Sequence, residues 1–148
     1  MLRVLVANDD ATSRRVLHHA LTGAGYEVVE ATTKAQTMTI LRESPIPLVV
    51  LLDFSIAKWN GTAVISEASA DPVLSSRHAY VLMLLRDQTF PLITARAMTQ
   101  MSVSLIPKPI KMEAVVSAVM AAGHRLQQHN ERTIIMPRIT EEPQPPRK

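Results

Sequence analysis

Val49-Val50-Leu51-Leu52-Asp53 is a continuous hydrophobic run that ends in a carboxylate, and its length is typical of a buried β-strand. Two other apolar runs also end in charged residues. The run that begins at residue 4 ends in Asn-Asp-Asp at residues 8–10, and the segment 106–109, Ile-Pro-Lys-Pro, carries a lysine. If these segments are parallel strands of one sheet, their charges emerge at its carboxyl-terminal edge, where open α/β sheets bind ligands. Two acids and a lysine at that edge suit a divalent cation and a phosphoryl group.

Strand and helix patterns alternate outward from this run. Apolar residues at helical spacing separate the strand-like segments and predict five β-α units, with residues 71–77 expected to form a loop. The predicted strands cover residues 3–7, 26–30, 48–52, 79–85 and 104–107. Because such apolar strands must be covered on both faces, the fold class is α/β with a doubly wound parallel sheet.

The composition sets further bounds on the 148-residue chain. We expect one domain over residues 1–127 and a disordered tail over 128–148 that is rich in proline and charge. The absence of cysteine excludes disulfides and thiolate metal sites. The net charge of +3 is spread along the chain with 3% aromatic residues, which argues against direct nucleic-acid binding. No apolar run could span a membrane and no signal-peptide pattern opens the chain, so we expect a cytoplasmic protein without a membrane partner. Histidines 18, 19 and 78 lack metal-ligand spacing and are expected to be surface or helix-face residues.

Four features together resemble the receiver domain of two-component response regulators over roughly residues 1–127. These features are the acidic cluster Asn8-Asp9-Asp10, the strand-end Asp53, the Asn60-Gly61 turn and the Lys108-Pro109 pair. Each motif alone is weak, but their order at the ends of predicted strands is specific. The resemblance implies a flavodoxin-like five-stranded sheet with strand order 2-1-3-4-5.

The resemblance also implies a role for each motif residue. Asp53 would be the phosphoacceptor and Lys108 its phosphate partner, and the peptide bond before Pro109 is commonly cis in this family. Mg²⁺ would be the cofactor, held by Asp9, Asp53, the backbone carbonyl of Ser55 and, through water, Asn8. Asn8 stands where the family has another acid, which lowers the negative charge of the site by one and should weaken metal binding.

Considered one at a time, the same residues could have ordinary structural roles. Asp9 and Asp10 could cap the following helix, Asp53 could be a solvated turn residue, and Lys108 could lie on the surface. The joint occurrence of the motifs favours the receiver interpretation over these.

The sequence departs from the family at its conformational switch. Receivers carry a Ser or Thr at the end of the fourth strand, then a small residue, and an aromatic on the fifth strand. Here Leu85, Arg86 and Leu105 occupy these positions, and leucine cannot donate a hydrogen bond. Two hypotheses follow. Either Asp53 accepts phosphate and Arg86 relays the change, or Arg86 pairs with Asp53 at rest and the chain is a pseudo-receiver, a phosphorylation-independent interaction module.

The resemblance predicts a single-domain response regulator in a phosphorelay. Its partners would be a histidine kinase or phosphotransfer protein as donor, and an unknown output protein. The output surface would be the fourth predicted helix, the fifth strand and the fifth helix, which could also form a homodimer, with candidate contacts from methionines 98, 101 and 120. We do not expect an enzyme, because no glycine-rich phosphate loop is present and Ser55 stands where an Asp-nucleophile phosphatase needs a second acid.

Overall fold

The computed structural model describes residues 2–53, 61–85 and 92–141, with side chains up to residue 128. The strands are β1 (Arg3–Ala7), β2 (Glu27–Ala31), β3 (Leu48–Asp53), β4 (Ala79–Leu84) and β5 (Val103–Pro107). The helices are α1 (Ala11–Gly23), α2 (Lys34–Glu43), α3 (Gly61–Ser69), α4 (Pro72–Arg77), α5 (Leu92–Thr99) and α6 (Met112–Glu141). In the part of the chain that the structure describes, no helix is both long enough and apolar enough to cross a membrane.

The five strands form one parallel sheet in the order β2-β1-β3-β4-β5, which confirms the predicted fold class and strand order. β3 lies at the centre of the sheet, with Val6 of β1 opposite Leu51 and with Met83 of β4 opposite Asp53. The carboxyl ends of all five strands therefore lie at one edge, together with the residues that follow them.

The core has two halves, one on each face of the sheet, because successive strand residues point to opposite faces. On one face, strand residues such as Leu5, Leu52 and Leu82 pack with buried side chains of α2, α3 and α5. On the other face, Val6, Leu51 and their neighbours pack against buried side chains of α1 and α6. Since the strands are buried on both faces, they are apolar throughout rather than alternating.

Local signals set the helix ends as the sequence suggested. Asp10 caps α1 by accepting a hydrogen bond from the Ser13 backbone N–H at 2.9 Å. Thr33 caps α2 by accepting from the Gln36 N–H at 3.1 Å. Past the end of α1, Gly25 has a φ of +98°, a conformation that favours glycine.

One helix was not predicted. Residues 71–77 were expected to form a loop, but Pro72–Arg77 is the helix α4. Asp71 accepts hydrogen bonds from the N–H groups of Val73 and Leu74, and Pro72 occupies the first turn, where its missing N–H costs nothing. Six residues are too few to give a helical period, so the capping signal was the available clue. The predicted fourth and fifth helices therefore correspond to α5 and α6.

The last helix is longer than expected. α6 continues to Glu141, past residue 127, where the predicted domain ended. Residues 124–136 contain neither glycine nor proline, which permits a continuous helix there. The domain boundary and the predicted disorder of the terminal tail stay predictions.

His78 is buried at 1% exposure, so the expectation of a surface position was wrong. Its Nδ1 accepts a hydrogen bond from the Leu48 N–H at 3.0 Å, and its Nε2 lies 3.0 Å from the Leu41 carbonyl oxygen. Both ring nitrogens are therefore satisfied by backbone groups, which makes burial of the imidazole affordable in the neutral form. Burial lowers the pKa of His78 below 6.5, with a smaller contribution from nearby Arg77.

Candidate functional site

Strand alternation brings Asn8, Asp53 and Lys108 to the same side of the sheet edge. Each lies two residues after a buried residue of the core half that faces α1 and α6, namely Val6, Leu51 and Ile106. Because side chains two residues apart on a strand share a face, all three point toward the α1–α6 side. These residues are distant in the sequence but close in space, because parallel pairing brings the carboxyl ends of the strands together.

Lys108 and Asp53 form an ion pair across 55 residues of sequence. The Lys108 Nζ lies 2.9 Å from Oδ1 and 3.1 Å from Oδ2 of Asp53, so the ammonium contacts both carboxylate oxygens. The Asp53 side chain is 15% exposed and that of Lys108 27% exposed. The Lys108 N–H donates to the Leu84 carbonyl at 2.7 Å, and the Lys108–Pro109 peptide is cis, as the resemblance implied.

A surface cleft of about 260 Å³ opens beside this pair. Asn8, Asp53 and Lys108 contribute its polar floor. Its remaining lining comes from α1, from β4, from the segment between β5 and α6 and from the start of α6, and consists of Thr12, Ser13, Val16, Leu17, Met83, Ile110 and Met112. Sequence reasoning missed these lining residues. Their signal was positional, since they flank the acidic cluster and the Lys108-Pro109 pair.

The structure separates the roles of the acidic cluster. Asn8 is 2% exposed, and its Oδ1 accepts a hydrogen bond from the Asp10 backbone N–H at 2.9 Å, an Asx turn that ends β1. Asp10 caps α1, and hydrogen bonds from the hydroxyl and N–H of Ser13 lower its pKa. The capping interpretation therefore holds for Asp10. Asp9 lies between them, half-buried, at the same strand edge as Asp53.

Of the predicted switch positions, Leu85 and Leu105 are described, and neither is among the residues that line this cleft. Leu85, at the end of β4, is 49% exposed, and Leu105 on β5 is 50% exposed. Ser55, Asn60 and Arg86 lie outside the described residues. The hydroxyl and aromatic that receivers use are absent at Leu85 and Leu105 by sequence, and neither leucine is buried.

The described residues contain no group of three or more His, Cys, Asp and Glu side chains able to hold a metal. The donor set that the resemblance implied has two carboxylates, one amide and one backbone carbonyl. All of these donors are oxygens, the ligand type that Mg²⁺ prefers. The Asn8 Oδ1 has a second lone pair besides the one that accepts from Asp10, so it can still contact a bound water.

A family model described as the response regulator receiver domain matches residues 4–120. This match spans most of the chain and all five strands. The chain belongs to the response regulator receiver domain family.

Individual relatives agree with this assignment of the receiver domain. A Rhizobium etli protein described as "Probable chemotaxis protein CheY" is 29% identical over 125 residues, covering 82% of this chain and 94% of the relative. A Porphyra purpurea protein described as "Probable transcriptional regulator ycf27" is 37% identical over 65 residues, and the match spans 26% of that longer protein. The solved CheY-like receiver domain of Methanospirillum hungatei has the same fold, with a TM-score of 0.70 at 23% identity over 82% of this chain and 94% of that chain.

Proposed function

We propose that this receiver domain accepts a phosphoryl group on Asp53 in a phosphorelay. The observation that carries the proposal is the contact of the Lys108 ammonium with both oxygens of Asp53, at 2.9 and 3.1 Å, on the floor of an open cleft. A carboxylate in a cleft can act as a nucleophile toward phosphorus. The adjacent fixed cation supplies the charge stabilisation on which phosphoryl transfer depends.

The donor would be a histidine kinase or a phosphotransfer protein. An oxygen of Asp53 attacks the phosphorus atom, the P–N bond to the donor imidazole breaks, and the imidazole departs with its electron pair and takes up a proton. Lys108 moves from the carboxylate oxygens toward the phosphoryl oxygens, which carry the charge after transfer. Each chain takes up one phosphoryl group, so the domain acts as an acceptor rather than as an enzyme with turnover.

Mg²⁺ is the proposed cofactor of this step. Asp9, Asp53 and the Ser55 backbone carbonyl would hold it directly, and Asn8 would contact it through water. When bound, the ion neutralises charge on the transferring phosphoryl oxygens. Asn8 removes one negative charge and Lys108 already neutralises Asp53, so we expect weak Mg²⁺ binding in the unphosphorylated protein.

The output surface would be the face formed by α5, β5 and α6. Leu92, Ile93, Leu105 and Met120 expose between 48% and 73% of their surface there. An unknown output protein, or a second copy in a homodimer, would bind this face; neither nucleic acid nor a membrane is a proposed direct partner. Of the methionines suggested for this surface, Met98 and Met101 pack on the core and Met120 is exposed.

A pseudo-receiver is the second candidate. The observation that favours it is the half-exposed Leu85, which has no hydroxyl to bond a phosphoryl oxygen and so cannot report phosphorylation as the family does. In that case the α5–β5–α6 face binds its partner without phosphorylation.

Intact-mass spectrometry after incubation with acetyl phosphate tests the proposal. We expect a gain of one phosphoryl group in the wild type with Mg²⁺, little without it, and none in Asp53→Asn. The Asp10→Asn variant is the matched control, because Asp10 caps α1 and should leave labelling intact. A folded wild type that gains no mass would refute phosphorylation and leave the pseudo-receiver.

A further inference from the structure

The turn that carries Asp9 is held by an arginine outside the family motifs. Arg14, in the second turn of α1, donates from Nη1 to the Asn8 backbone carbonyl at 2.9 Å. Its Nε donates to Oε1 of Glu30 on β2 at 3.2 Å. The Arg14 side chain is 17% exposed and that of Glu30 is 35% exposed, and the contact with the Asn8 carbonyl is partly buried. His18 Nδ1 contacts the other Glu30 oxygen at 2.6 Å.

The Asn8 carbonyl belongs to the peptide bond that joins Asn8 to Asp9, so its position sets the direction in which Asp9 leaves β1. Other contacts hold the remaining polar groups of Asn8. Its N–H donates to the Ala31 carbonyl at 3.0 Å, and its Oδ1 accepts from the Asp10 N–H at 2.9 Å. Arg14 supplies a charged donor to this turn, and charge-assisted hydrogen bonds are the stronger class.

We propose that Arg14 is a positioning residue for the metal site: it fixes the Asn8–Asp9 peptide so that the Asp9 carboxylate meets the ion together with Asp53. Glu30 fixes the guanidinium in turn, which makes the edge strand β2 part of the support of the site. This inference rests on the proposed function, because it presumes that Asp9 and Asp53 bind Mg²⁺.

Charge and position make opposite predictions for removing Arg14. Its positive charge repels a cation, so loss of the charge alone would tighten Mg²⁺ binding, and Glu30, no longer paired with Arg14, would add to this effect. Loss of the hydrogen bond to the Asn8 carbonyl would instead leave Asp9 poorly placed and weaken binding. Removing groups that orient metal ligands lowers metal affinity by about 10–100-fold. The direction of the change therefore separates the two effects.

The test is a Mg²⁺ titration followed by amide chemical shifts in ¹H–¹⁵N NMR spectra, which reads the dissociation constant without any phosphoryl transfer. We expect Arg14→Met to bind Mg²⁺ about 10-fold more weakly than the wild type, in line with the loss of an orienting group. Arg15→Met is the matched control, since Arg15 is exposed on the same helix and the charge change is identical. It should bind Mg²⁺ at least as tightly as the wild type does. In Arg14→Lys the ammonium can reach the Asn8 carbonyl or Glu30 but not both, so its Mg²⁺ affinity should lie between those of the wild type and Arg14→Met.

Equal or tighter binding by Arg14→Met would overturn the inference. If that variant does not fold, Glu30→Gln replaces it, and an unchanged Mg²⁺ affinity in Glu30→Gln would overturn the inference equally. When the wild type binds Mg²⁺ and accepts phosphate, a negative result for the variants removes this inference and leaves the proposed function intact. If the wild-type spectrum does not respond to Mg²⁺, both this inference and the proposed role of Mg²⁺ in phosphorylation are wrong.

Discussion

Replacing Lys108 by methionine removes the ammonium that lies 2.9 and 3.1 Å from the two oxygens of Asp53 while keeping most of the side-chain volume. The ammonium and a Mg²⁺ ion on Asp53 share one carboxylate, so they repel each other. At a separation of roughly 5 Å in the dielectric of water, a single and a double positive charge repel by about 1.7 kcal/mol. The dielectric of water is appropriate because both side chains are partly exposed, at 27% and 15%.

This repulsion corresponds to a factor of roughly 20 in the Mg²⁺ dissociation constant. We therefore expect Lys108→Met to bind Mg²⁺ about 20-fold more tightly than the wild type. The same variant should accept phosphate from acetyl phosphate at least about tenfold more slowly, because the transition state loses a fixed positive charge. Tighter metal binding with slower phosphorylation is the signature of a cation that serves the phosphoryl group rather than the metal.

The two readouts are an NMR titration with Mg²⁺ and the rate of mass gain with acetyl phosphate. Lys111→Met is the control for net charge, because Lys111 is exposed and three residues further along the chain. Both quantities should stay near the wild-type values in that control. Weaker Mg²⁺ binding by Lys108→Met, or identical behaviour of the two variants, would refute the reasoning that Lys108 and the ion compete for Asp53.

Two further predictions concern buried polar groups. Burial lowers the pKa of His78, so on acidification the unfolded chain binds a proton at a higher pH than the folded chain does. The free energy of unfolding should therefore fall by up to about 1.4 kcal/mol per pH unit as the pH drops below 6.5. Urea titrations at pH 7.5 and 5.5 should show a smaller fall in that free energy for His78→Gln than for the wild type, and equal falls would contradict the prediction. Thr94 is fully buried, and its hydroxyl has no hydrogen-bond partner among the described residues, so Thr94→Val should raise the free energy of unfolding by about 1 kcal/mol. Thr37→Val removes a hydroxyl that donates to the Thr33 carbonyl at 2.8 Å, so it should lower the free energy of unfolding by about 1 kcal/mol in the same urea assay. A Thr37→Val variant more stable than Thr94→Val would count against the argument.

The secondary structure was largely predictable from the sequence, and the strand order was implied by the resemblance to receiver domains. Continuous runs such as 48–52 can be buried on both faces only in a sheet with helices on each side, so the apolar pattern determines the layers. That a helix begins just after the acidic cluster was predictable because capping is local. Helix α4 was missed because its six residues are too few for the apolar spacing of a helix to repeat.

Part of the candidate site was likewise predictable from the sequence, and part was not. That Asp53 and Lys108 emerge at one sheet edge follows from the positions of two apolar runs, and the structure places them in contact. Which acid of the cluster caps α1 could not be read from the sequence, because Asp9 and Asp10 are both competent caps. The choice depends on the Asx turn at Asn8, which β1 and β2 set by pairing side by side.

The sequence by itself determined the order of the elements, the two-sided burial of the strands and the edge at which the charges gather, since these depend on local periodicity. Only the tertiary structure decided that His78 is buried between Leu41 and Leu48, and that Arg14 reaches both Asn8 and Glu30. The physical reason is that a polar side chain can be buried wherever it finds hydrogen-bond partners, and those partners come from segments that are distant in sequence and meet only when the sheet and helices have packed.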